Sequence, residues 1–243
     1  MPKENTINWK QLIIYLGIFI LVLIFWKTPF VYPIKIFVVL LHELGHGLAA
    51  MLTGGKMVKI EISHLQGGAC WSTGGWRWVV LPAGYLGSML FGGIILLSAA
   101  KTKADKMISI MLGGIVVFIT LFFIRNVFGF IFGLLFGCAM TAMGIFIPRF
   151  INDYILKFIG ITSILYALLD INVDLIKNTI QGSDAWAMSK EVFPLPPKVW
   201  GVIWIITAIA AAIFFIKLAV STKNSGIPKD NDDSPDIKTN IDF

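Results

Sequence analysis

Apolar residues come in long runs separated by short polar or proline- and glycine-rich interruptions, and the runs have the length of membrane-crossing helices. The first, at about residues 11–26, reads QLIIYLGIFILVLIFW. At about 20 residues per crossing of a roughly 30 Å hydrocarbon core it is just long enough to span. Pro29 and Pro33 break the chain after it. Further runs follow at about 34–54, 77–99, 107–124, 127–147, 155–177 and 199–219. The pattern predicts an all-α polytopic membrane protein with about six or seven transmembrane helices.

One stretch departs from the helical pattern. Residues 55–76, GGKMVKIEISHLQGGACWSTGG, set Val58, Ile60 and Ile62 on one side and Lys59 and Glu61 on the other, as in a short half-exposed strand or hairpin. The glycine pairs at 67–68 and 74–75 mark turns. Non-helical backbone at membrane depth needs shielding by protein or by a water-filled cavity. The segment is therefore either a re-entrant strand beside a cavity or a surface loop. Elsewhere, Gly87, Gly92 and Gly93, then Gly129, Gly133, Gly137 and Gly144, recur at near-helical spacing and suit close helix contact in lipid.

Composition narrows the class. The 243 residues are 57% hydrophobic and 14% charged, with mean hydropathy +0.81, which leaves little sequence for a soluble domain. Residues 1–220 read as one integral-membrane domain, and 221–243, with five Asp and three Lys, as a disordered polar tail. The net charge of +6 comes from basic residues scattered singly between apolar blocks, so no nucleic-acid partner is expected. Lys101, Lys103, Lys106 and Lys217 favour the cytoplasmic side, and with seven crossings the N-terminus falls outside and the C-terminus inside. Cys70 and Cys138 lack CxxC spacing and imply neither a disulfide framework nor a thiolate zinc site.

Against this background the run IKIFVVLLHELGHGLAAMLTG is apolar except at Lys35 and at His42, Glu43 and His46. These last three form HExxH on a predicted helix. Positions i and i+4 share a face, so both imidazoles can hold one Zn²⁺ while Glu43 serves as general base towards water. The rival reading is a buried polar cluster joining helices. Burying Glu43 there would cost at least about 2–3 kcal/mol without pairing or hydration, which favours a hydrated metal cavity.

A catalytic zinc site takes three protein ligands and leaves one position open. His64, in the irregular segment, is one candidate for the third. The acidic candidates are Asp170, Asp174 and Asp184. If three crossings separate the helices at 34–54 and 155–177, the two run in the same direction. His46 and Asp170 then lie at similar depth, and Asp174 one turn higher. Asp170 is the better-placed ligand. Asp174 shares its face, and Asp184 or Ser183 could cap a short helix over 185–190.

The chain resembles the intramembrane zinc metalloproteases of the site-2 protease type, in their small M50B-like branch of bacteria, plants and fungi. The resemblance rests on LLHELGHGLAAMLTGG at 40–55, PAGYLGS at 82–88, LLD at 168–170 and SDA at 183–185. It implies His42, His46 and Asp170 as metal ligands, Glu43 as the catalytic base and Zn²⁺ as the cofactor. It also implies a membrane-protein or peptide substrate cut within or near a transmembrane segment, in a bacterial cell membrane. The family aspartate precedes glycine in an Asn-Pro-rich context, whereas Asp170 precedes Ile171 and Asn172. By strand addition, the strand near 57–62 could hold an unwound substrate segment beside the metal. The alternative from another class is a catalytically inactive zinc-binding membrane scaffold. A transporter is disfavoured because no paired inverted halves are visible, and a di-iron enzyme because three histidines are too few.

Overall fold

The computed structural model describes residues 6–172 and 182–222. Asp174 and the tail from residue 223 onward lie outside the described residues. In chain order the elements are β1 (Thr6–Ile7), α1 (Trp9–Ile24), α2 (Tyr32–Leu52), β2 (Lys56–Ile62), β3 (Gly68–Thr73) and α3 (Arg77–Val80). Then follow α4 (Ala83–Lys101), α5 (Asp105–Phe123), α6 (Val127–Phe146), α7 (Arg149–Ile171), α8 (Asp184–Glu191), α9 (Pro197–Val220) and β4 (Ser221–Thr222).

Among the described residues six helices are long and apolar enough to cross a membrane: α2, α4, α5, α6, α7 and α9. The architecture is an all-α polytopic membrane protein carrying one small hairpin. With 16 residues α1 is about 24 Å long, short of the hydrocarbon thickness. Its start lies beside the end of α9, because Thr6 pairs with Thr222 and Ile7 with Ser221. Seven complete crossings would separate those ends. The start of α1 and the end of α9 therefore lie together, and not on opposite sides as seven crossings would require.

The most enclosed spanning helix is α2, with 78% of its apolar window buried, against 28% for α5, α6 and α9. Glycines allow this enclosure. A Cβ on Gly45 would lie 2.2 Å from the Ala83 carbonyl oxygen, so α2 and α4 touch through their backbones there. The α4–α7 crossing is similar, since a Cβ on Gly160 would sit 2.8 Å from the Gly92 oxygen and 2.9 Å from Leu96. In lipid, where apolar surface gains little by leaving the solvent, such close backbone approach is what makes helix association favourable.

After α2, Gly54 at φ +87° turns the chain into the hairpin. β2 and β3 are antiparallel, with Ile60 opposite Cys70 and Ile62 opposite Gly68. A bulge between Met57 and Lys59 shifts the alternation. Met57 turns inward to Gly47, while Val58 is 52% exposed and Ile60 and Ile62 are fully buried in one core with Phe37 and Leu40 of α2. Val58 therefore does not share the inner face that simple alternation assigns it. The hairpin tip is tied to the bundle by Tyr32, whose hydroxyl donates to the His64 carbonyl at 2.8 Å, and by Tyr166, which donates to the Gln66 carbonyl at 3.3 Å.

Both edges of β2 are occupied. Opposite β3, Ile60 bridges to Ile124 and its carbonyl accepts from the Arg125 N–H at 3.1 Å. The Asn126 side chain accepts from the Ile62 N–H at 3.0 Å and donates to the Ile62 carbonyl at 2.7 Å. Strand addition along Ile60–Ile62 of β2 is thus precluded, while the edge of β3 away from β2 is open to it.

Gly160→Val should force α4 and α7 apart, at a cost of about 1–3 kcal/mol from overpacking. Gly114, with nothing within 4 Å of a Cβ, should accept alanine with a change below about 1 kcal/mol. Thermal unfolding in detergent checks both, and equal stability of the two variants would contradict the close-packed crossing.

Candidate metal centre

His42 and His46 stand one turn apart on one face of α2, with their Nε2 atoms 3.1 Å apart. The His46 Nδ1 lies 2.8 Å from the Val80 carbonyl oxygen of α3. A carbonyl only accepts, so Nδ1 carries a proton and donates, and Nε2 is the ring nitrogen that faces the cavity. The His42 ring is held edge-on by Tyr85, with centroids 4.6 Å apart.

The carboxylate that completes the group comes from α8. Ser183 is the N-cap of that helix, its hydroxyl accepting from the Trp186 N–H at 3.3 Å. Asp184 is thereby free of capping and places Oδ2 3.3 Å from the Nε2 of His42 and 3.3 Å from that of His46. Burial alone would raise the Asp184 carboxyl. The charge of His46 and hydrogen bonds from His42 and His46 outweigh it and hold the group below the usual carboxylate range.

The three ligand atoms form a triangle with sides of 3.1, 3.3 and 3.3 Å. A tetrahedral Zn²⁺ with bonds of about 2.0–2.1 Å has ligand–ligand edges of roughly 3.3 Å, so the triangle matches one face of such a site. The space beside it exists because residue 84 is glycine: a Cβ there would lie 2.3 Å from the His42 Nε2 and 2.4 Å from the His46 Nε2. The residues present therefore fit a zinc ion, with a fourth position towards the cavity.

Glu43 follows His42 on the helix and is 6% exposed. The Cys70 backbone N–H faces its carboxylate, and Gly68 makes room for it, since a Cβ there would lie 2.6 Å from Oε1. Gly68 and Cys70 stand opposite Ile62 and Ile60, whose backbone groups point away from β3. By antiparallel geometry, those of Gly68 and Cys70 also point outward from the sheet, on the side of Glu43. His42, Glu43, His46, Cys70 and Asp184 all line one cavity of about 570 Å³.

The sequence-based choice of Asp170 assumed a helix reaching residue 177. The structure describes α7 as far as Ile171, with Asp170 one residue before that, and residues 173–181 lie outside the described residues. Asp170 lines the same cavity, while among the described residues His42, His46 and Asp184 form a group whose ligand atoms lie close enough together to hold a metal ion. His64 lies away from that group, its ring against Phe128 at 5.9 Å. Asp174 falls outside the described residues. Sequence reasoning missed Gly84 and Val80 as parts of the site. Gly84 was visible as the small residue in PAGYLGS, but its contact with the imidazoles is a tertiary fact.

A family model described as Peptidase M50B-like matches residues 15–215. No curated protein and no solved structure matches the chain.

Gly84→Ala should bring a methyl group into the space beside both Nε2 atoms and reduce bound zinc from about one equivalent to near zero. Elemental analysis of monodisperse protein reads this directly, and full occupancy in the alanine variant would mean that zinc does not sit between His42 and His46.

Proposed function

The chain belongs to the Peptidase M50B-like family, and from that premise we propose that it is a zinc-dependent endopeptidase cutting peptide bonds within or near transmembrane segments. The observation that carries this reading is the triangle of His42, His46 and Asp184 with Glu43 beside it in a cavity at the most enclosed spanning helix. His42, His46 and Asp184 would hold the metal. Asp184 takes the place that depth arguments had given to Asp170.

Zinc at this site supplies Lewis acidity, both to acidify water and to polarise a carbonyl. Glu43 takes the proton from the attacking water and passes it to the departing amine. The Cys70 N–H orients the carboxylate for that exchange, and the Val80 carbonyl fixes the tautomer of His46. A scissile bond within a helix is already hydrogen-bonded, so the substrate segment must unwind and find new partners. The outer edge of β3 supplies them on the side of Glu43, where an extended segment can add as a strand. The substrate would be a membrane protein or a peptide entering from the lipid, and the resemblance to the M50B-like branch suggests a bacterial cell membrane.

Glu43→Gln should keep zinc and lose cleavage of a model transmembrane peptide by at least about 10²-fold, the scale of a general base. Asp184→Ala should lose zinc and Asp170→Ala should keep it, as read by metal content. Cleavage by Glu43→Gln at the wild-type rate would sink the peptidase reading and leave an inactive zinc-binding scaffold. Zinc lost only in Asp170→Ala would return the third ligand to α7.

A further inference from the structure

The eight residues of α8 carry Asp184 at one end and Glu191 at the other, about 10 Å apart along the helix. Ala185 and Met188 bury one side of it in the core that also contains Trp204 and Ala208 of α9. That contact is apolar and non-directional, so it leaves the tilt of α8 weakly specified. A directional contact lies at the far end. The Arg77 Nε–H donates to Glu191 Oε2 at 2.6 Å, linking positions 114 apart in sequence. Both side chains line the cavity and are about half exposed, at 45% and 44%.

Arg77 is itself fixed to the site-bearing helix. It opens α3, and the preceding Trp76 N–H donates to Thr53 Oγ1 at 2.9 Å. Thr53 is the C-cap residue of α2, and its hydroxyl also donates to the Ala49 carbonyl at 2.7 Å. A Cβ on Gly75 would lie 3.0 Å from the Ala50 Cα, so this turn is pressed onto α2. The contacts close a ring: α2 to Asp184 through the histidines, along α8 to Glu191, across to Arg77, and back to α2 through Trp76 and Thr53.

We propose that Arg77 and Glu191 are positioning residues, an ion-pair clasp that holds α8 over the cavity and keeps Asp184 against His42 and His46. Neither touches the metal ligands directly; both act through the helix. The clasp rests on the metal-site reading above. It assigns the half-exposed pair a measurable effect on metal affinity, which an ordinary surface ion pair would lack.

The test uses the full chain in detergent and measures zinc affinity by competition with a chromophoric chelator. Glu191→Gln removes the pair with minimal steric change and should weaken zinc binding about threefold, the scale of a half-exposed ion pair. Arg77→Glu and Glu191→Arg, which place like charges together, should each weaken it about tenfold. The double reversal should recover to within about twofold of wild type, because the two sites are coupled. Independent effects of the two residues predict no such rescue.

A second readout needs no metal. Cys70 lines the cavity, and its thiol is pushed up to about 12 by burial and by Glu43. In a Cys138→Ser background, metal-free Glu191→Gln should therefore raise a slow alkylation of Cys70 several-fold. Wild-type zinc affinity or a wild-type alkylation rate in Glu191→Gln, or a double reversal no better than the singles, overturns the clasp. A wild-type protein that binds no zinc would overturn the proposed function instead, and the alkylation rates would still decide the clasp.

Discussion

Everything at the centre of this molecule depends on how closely α2 and α4 approach. At Gly45 the α2 backbone rests against the Ala83 carbonyl, and one residue later Gly84 faces both imidazoles. A side chain at either glycine would separate the helices or fill the space between the ring nitrogens. The same contact brings Val80, just before α4, within hydrogen-bonding reach of His46. Helix packing and ligand orientation are therefore one constraint, satisfied by removing atoms where two backbones cross.

The polar groups on α2 sit in an apolar setting, and each is matched locally. Glu43 lies against the outward-facing backbone of β3, His46 against a carbonyl, and His42 against an aromatic edge. A buried carboxylate without such a donor would be costly. The hairpin can thus be understood as a polar lining brought to membrane depth by Ile60 and Ile62, which anchor its other face in the core shared with α2. Its irregular backbone is tolerated because protein covers one side and a cavity opens on the other.

Much of this was legible from residue order. The long apolar runs specify helices because a lipid environment permits few alternatives. HExxH specifies a shared helical face, and the glycine pairs around 55–76 specify a break. What stayed hidden depended on distance through space. The depth argument set Asp170 level with His46, and it had no means of seeing that Asp184 of α8 folds to within 3.3 Å of both imidazoles. Asp184 looked like a capping residue until Ser183 was seen to cap, and nothing local says which of two adjacent N-cap residues does so. Val58 turns outward because of a bulge that has no signature in the residues themselves.

The Asn126 amide has a wider consequence. By matching both the N–H and the carbonyl of Ile62, one side chain does what a neighbouring strand would otherwise do. A two-stranded ribbon inside a bilayer would normally present two sticky borders, each able to recruit a second molecule. Here one border is sealed at Ile60 and Ile62 by residues of the α5–α6 connection, so the ribbon has a sidedness. An added strand is left the edge of β3 on the side of Glu43, and pairing along Ile60–Ile62 is blocked.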